Sequence, residues 1–136
     1  MEKTLFDHLR SLQLPAGDYA VFGSGPLAAR GIIPSCNDLD VLCRSHAWQM
    51  VRALGTVEYL QQYEVEIVTM LDGAMTFGTR WGIGEFQAED LIDSAELIEG
   101  LLFVRLEHVL AYKEIRASEK DRRHIEALLN SGYLNS

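Results

Sequence analysis

Asp38 and Asp40 flank Leu39 at the head of an otherwise apolar run, DLDVLC at residues 38–43, and this pattern constrains the chain more than any other in it. Residues two apart on a strand share a face, so the two carboxylates stand side by side while Leu39 turns toward the core. Like charges this close raise each other's cost of ionisation unless a cation lies between them. Hard cations such as magnesium are held by a few carboxylates together with substrate phosphates. An isolated Asp-x-Asp is more commonly a turn-ending residue followed by a solvated one, so the surrounding sequence has to decide.

Just upstream, YAVF at residues 19–22 reads as a short buried strand that Gly23 and Ser24 close. Ser24 or Gly25 suits the N-cap of a helix, Pro26 its first position, and Gly31 its end. The free backbone N–H groups of a helix start suit phosphate oxygens, which places a phosphate cradle and a carboxylate pair on adjacent strands. The same letters, GSGPLA, fit a dinucleotide fingerprint after a strand. Against that alternative, the helix ends by Gly31 and the acids precede the apolar half of the second strand instead of standing near its far end. The chain is also too short for a separate substrate domain.

With 136 residues, about half of them apolar, one domain spanning residues 1–136 is expected. Acidic residues outnumber basic ones by 20 to 12, and the net charge of −8 argues against long nucleic acid as a partner. The opening segment MEKTLFDHLRSL has Leu5, Phe6, Leu9 and Leu12 on one stripe, an amphipathic helix and not a signal peptide. No apolar run reaches membrane-spanning length, so no membrane is expected as a partner. A cytoplasmic location follows, with Cys36 and Cys43 as reduced packing residues.

Further along, Ser45 caps a helix over HAWQMVRAL that Gly55 stops, and residues 56–71 form one or two strands. Alternation there sets Glu64 and Glu66 on one face and Val65 and Ile67 on the other. Residues 72–93 read as turns with a short strand, and SAELIEG as a last strand. LLFVRLEHVLAYKEIRA reads as a helix whose stripe Leu102, Leu106, Val109 continues to Lys113. Ser118 and Asp121 form a capping box that opens a final helix running to Gly132. The fold class is therefore α+β, a mixed sheet flanked by helices with two helices closing the chain.

Together, VFGSGPLAARGIIPSCNDLDVL and LEHVLAYKEIRASEKDRRHIEALL resemble the nucleotidyltransferases of the DNA polymerase beta superfamily, particularly its small minimal, antibiotic-modifying and antitoxin-type members. The resemblance implies a nucleotidyltransferase-like fold and transfer of a nucleoside monophosphate, AMP from ATP, to a small-molecule or protein acceptor. It implies Mg2+ or Mn2+ as cofactor and a nucleoside triphosphate as substrate. By the same analogy Gly23 and Ser24 hold the triphosphate with Lys113, while Asp38 and Asp40 bind metal. A third carboxylate on a later strand completes such a site, and Glu66 is the best match, with Glu64 as its fallback. Glutamate departs from the usual aspartate there, which raises a degenerate nucleotide- or partner-binding domain as the alternative. His124 stands where many relatives have an acid. Arg80 beside Trp81 offers a stacking surface for a base or an acceptor.

Overall fold

The computed structural model describes residues 4–80 and 88–135. Helix α1 (Leu5–Leu12) opens on a capping box in which Thr4 and Asp7 exchange side-chain and backbone bonds. Its Leu9 is buried, and Leu5, Phe6 and Leu12 pack half-buried beside it. Strand β1 (Tyr19–Phe22), the short helix α2 (Gly25–Ala29) and strand β2 (Leu39–Cys43) follow. Then come α3 (Ser45–Leu54), β3 (Thr56–Leu60), β4 (Val65–Met70), β5 (Met75–Gly78) and α4 (Ala88–Asp93). The chain ends with β6 (Glu96–Ile98), β7 (Leu101–Phe103), α5 (Leu106–Arg116), α6 (Glu119–Ser131) and a single 3-10 turn at Tyr133–Asn135.

These strands form one mixed sheet of seven in the order β3-β4-β5-β2-β1-β7-β6. β2 lies antiparallel to β1 and parallel to β5, so the Asp-x-Asp strand is near the centre, paired on both edges. The alternation of β1 and β2 divides the core in two. Tyr19, Val21, Leu39, Val41 and Cys43 face α1 and α3, while Ala20, Phe22 and Leu42 face α4, α5 and α6. The α+β class with helices on both faces is thus the observed architecture. No helix among the described residues is long and apolar enough to cross a membrane.

Three expectations need correction. The helix expected from residue 101 begins at Leu106, because Leu101–Phe103 pairs parallel to β1 through Phe103 and antiparallel to β6. Glu99 and Gly100, both at positive φ, make the reversal between β6 and β7. A helical stripe and a short buried strand share the same apolar letters when neither runs long. Ser45 is the first residue of α3, and Arg44 is its N-cap. Residues 88–93, read as part of a turn-rich segment, form α4, whose Leu91 and Ile92 are buried.

Phe103 is 1% exposed and its ring meets Phe6 edge-on at 5.5 Å, tying α1 to β7. Phe103→Ala is expected to cost about 3–5 kcal/mol of unfolding free energy in urea denaturation. A loss below 1 kcal/mol would show that this contact is peripheral.

Candidate active site

The turn after β1 is built around one close approach. Gly23 has φ +66°, a conformation that favours glycine, and a Cβ built there would stand 2.8 Å from Asp40 Oδ2. The cause is register: Phe22 pairs with Asp40, so the chain leaving β1 must pass over that carboxylate. Asp40 lies on the face shared with Phe22 and Leu42, beneath α5 and α6. Burial, followed by the negative charge of Asp38, pushes its carboxyl up to about 6. The positive charges of Arg116, Lys113 and Lys120 oppose that rise without cancelling it. Asp38 is exposed at the entrance to β2. The structure therefore brings Gly23 and Asp40 into contact, while Asp38, expected on the strand beside Asp40, precedes β2 and acts on Asp40 through its charge.

Ser24 is the N-cap of α2, yet its hydroxyl makes no capping bond. It turns to the C-terminal helices, accepting a hydrogen bond from Lys113 Nζ at 3.1 Å and lying 3.2 Å from His124 Nδ1. Lys113 is 2% exposed on α5, in the apolar register of Leu106 and Val109. Its ammonium also donates to Asp121 Oδ1 at 3.3 Å and meets His124 Nδ1 at 3.2 Å. Three donors thus meet three partners. An ammonium only donates, so His124 Nδ1 accepts and the imidazole proton resides on Nε2. Burial lowers the His124 pKa, and the charges of Lys113 and Lys120 lower it further, which keeps the ring neutral at pH 7.

Asp121 is the counter-charge of this cluster. Burial pushes its carboxyl up, but the Ser118 hydroxyl, Lys113 and Arg116 outweigh that and hold it below the usual range. Ser118 Oγ donates to its Oδ2 at 2.6 Å, and Arg116 Nε lies 3.3 Å from the same oxygen. Arg116 also stacks over Tyr112, 5.8 Å from the ring centroid. Desolvation lowers the Lys113 pKa, and Asp121 opposes it. The sequence reading took Asp121 as a helix cap and did not name Arg116 at all. The available signal was Lys113 in an apolar register, since a buried ammonium requires a nearby acid.

Glu66 does not join the aspartates, and this corrects the expectation of a shared face. It pairs with Tyr59 on β3, and alternation through Val68 sets it on the α3 face, where Arg52 reaches it at 3.3 Å. In the row with Asp40 the register instead places Thr76 on β5 and Thr69 on β4. Glu64 stands in the turn before β4 at φ 50°, exposed, and its carbonyl accepts from Arg80. Arg80 is thereby held to the β3–β4 turn, and Trp81 lies outside the described residues. Among the described residues no three His, Cys, Asp or Glu side chains converge as a metal cluster.

Comparison with protein-family models, curated proteins and solved structures finds no match to this chain.

Asp40 carries a pH-dependent penalty. Because its folded pKa is raised above 3.8, the stability it contributes is full below about pH 3.8 and is lost as pH rises through about 6. In a chelating buffer Asp40→Asn should be more stable than wild type at pH 7.5, by up to about 3 kcal/mol for a shift of this size. The advantage should vanish near pH 4. Thermal melts of both proteins from pH 4 to 8 measure it, and parallel curves would contradict the assignment.

Asp121→Asn leaves the buried Lys113 ammonium without its principal counter-charge and should cost about 3–5 kcal/mol at pH 7. Lys113→Met added to Asp121→Asn should recover part of that loss in a double-mutant cycle. Additive losses would mean the pair is not coupled.

Proposed function

We propose that the chain binds a nucleoside triphosphate with Mg2+ or Mn2+ and transfers its nucleoside monophosphate to a small-molecule or protein acceptor, releasing pyrophosphate. One observation carries this reading. At a single turn, Gly23 closes over a half-buried carboxylate while the next residue, Ser24, is held by a buried ammonium. Carboxylates on one side and cations on the other suit a ligand that is itself a chelated polyanion. Helix α2, with five residues, adds only a weak dipole, so the positive charge at this turn comes mainly from Lys113, Arg116 and Lys120.

The donor set fits a divalent cation. Asp40 ionises reluctantly beside Asp38, a condition that a cation between them relieves, and magnesium takes one or two carboxylates alongside substrate phosphates. Asp38 and Asp40 would hold it, and bound there it neutralises charge on the α-phosphate and the leaving group. On this reading Ser24 and Lys113 would receive the outer phosphates. Lys113 would do so by exchanging one of its three present partners for a phosphate oxygen, while Asp121 holds the ammonium and the Arg116 guanidinium in place.

The position of Glu66 favours a second reading, nucleotide binding without turnover. With Glu66 on the α3 face, no third carboxylate among the described residues stands beside Asp38 and Asp40 to help activate an acceptor. Calorimetry with Mg-ATP and an assay of pyrophosphate release, run together, separate the readings. Binding with release supports transfer, binding without release supports the second, and absence of binding sinks both. Lys113→Ala should weaken ATP at least tenfold while changing AMP less than twofold, because the ammonium faces the outer phosphates. Equal losses for the two nucleotides would confine Lys113 to a structural role.

A further inference from the structure

Among the described residues, the cluster of Ser24, Lys113, Asp121 and His124 presents more protons than acceptors. Lys113 brings three protons and Ser24 one, while the acceptors facing Lys113 are Ser24 Oγ at 3.1 Å, Asp121 Oδ1 at 3.3 Å and His124 Nδ1 at 3.2 Å. The Ser24 hydroxyl also lies 3.2 Å from that same Nδ1. A neutral imidazole nitrogen offers one lone pair, so the ammonium and the hydroxyl compete for it and one proton is left over. His124 is half-buried on α6, which leaves part of the residue open to a ligand. Its charged neighbours are Lys113 from α5 and Lys120, Asp121 and Arg123 from α6, and the turn after β1 brings the neutral Ser24. Burial first, and then the three cations, oppose a proton on Nδ1.

Resting on the nucleotidyltransferase reading, we infer that His124 is a ligand of the outer phosphates: as a phosphate oxygen takes its place on Lys113, Nδ1 gains a proton from solvent and donates it to the phosphate. The shared neighbours decide it. An oxygen bonded to both Ser24 and Lys113 has the same two partners as Nδ1, so it arrives as acceptor of the surplus proton and as a rival to the imidazole lone pair. An unprotonated Nδ1 would then face that oxygen lone pair to lone pair. Protonation makes the ring cationic and replaces the repulsion with a charge-assisted hydrogen bond, while the phosphate charge offsets the cations that kept the ring neutral. Binding is thereby linked to proton uptake. The ring holds its proton more tightly in the complex than in the free chain, so this contribution to affinity is complete below the free pKa and is lost as pH rises through the bound one. Asp40 acts in the opposite sense, since its carboxyl, raised to about 6, must give up its proton to hold a metal. Affinity alone therefore mixes two titrations, and only the ring itself separates them.

Long-range 1H–15N spectra of the imidazole nitrogens, recorded from pH 5 to 8.5, follow His124 in three states: free, saturated with Mg-α,β-methylene-ATP, whose bridging carbon blocks transfer, and saturated with Mg-AMP, which lacks the outer phosphates. The free ring should carry its proton on Nε2 and titrate below the ordinary histidine value. In the triphosphate complex its midpoint should rise by at least about one pH unit, a tenfold gain in proton affinity, and it should not rise with Mg-AMP. His8, His46 and His108 serve as references in the same spectra. His124→Asn keeps an acceptor for Lys113 but cannot become charged, and at pH 6.5 it should bind Mg-α,β-methylene-ATP at least tenfold more weakly in calorimetry. If that variant binds within twofold of wild type, or the midpoint stays put in the saturated wild-type complex, His124 only fastens Lys113 and the proposal is overturned. The wild-type spectra decide the matter even if the variant fails to fold. An equal rise with Mg-AMP assigns the ring to the α-phosphate and overturns the proposal as well. No calorimetric binding of Mg-α,β-methylene-ATP by the wild-type chain sinks the nucleotide reading, and the phosphate role of His124 with it.

Discussion

The C-terminal helices are fastened to the sheet by one ammonium group. Lys113 comes from α5, its counter-ion Asp121 and its acceptor His124 from α6, and its third partner Ser24 from the turn after β1. A buried ammonium is tolerable only when every proton is matched and a negative charge is close, and here two of the partners come from α6 and one from the turn after β1. Shifting α6 by one residue would remove Asp121 and His124 together. Apolar packing of Val109, Tyr112 and Leu128 supplies the larger share of cohesion at this face, but it would tolerate slippage that the ion pair does not. The pair therefore fixes the register of the helices against the turn that carries Gly23.

Asp40 reaches the same turn from below, and here the geometry is set by pairing instead of charge. Antiparallel pairing of β1 with β2 puts Phe22 opposite Asp40, and only a residue without Cβ, at positive φ, can carry the chain across it. The consequence is an acid held in an environment that disfavours its charge, within electrostatic reach of three cations that do not bond to it. Such an arrangement costs stability in the isolated fold, which is characteristic of sites arranged for a ligand.

How much of this was legible follows from which patterns are local. The capping box at Thr4–Asp7 went unread, whereas the equally local one at Ser118–Asp121, its partners three residues apart, stands in the structure as read. So do β1, β2 and the helix between them, because Gly, Pro and alternating apolar letters mark each boundary. Lys113 was legible as inward-facing, since its helix periodicity survives even though the helix starts five residues later than expected. Glu66 was not legible. Alternation correctly set Val65 and Ile67 on different faces from their neighbours, but which face meets Asp40 depends on β5 intervening between β4 and β2. That is a property of strand order, and no local pattern encodes it. Asp121 and Arg116 were hidden for a related reason: the group that gives them meaning is eight residues or fewer away in sequence but across a helix turn.

The two signs of charge around Ser24 and Asp40 impose a final constraint. Lys113 and Arg116 share the single negative charge of Asp121, so a polyanion gains from them only the positive charge left over from that pairing. Lys120 differs, being exposed and acting on Asp40, Cys36 and His124 only through its field. An anion alone would meet Asp38 and Asp40 as repulsive neighbours, and a cation alone would meet Lys113, Arg116 and Lys120 in the same way. A ligand bearing both signs, such as the proposed phosphate chain with its chelated metal, would turn these interactions favourable together. On the proposed reading the site would favour the pair over either component, through groups on β2, α5 and α6 beside the Lys113–Asp121 contact.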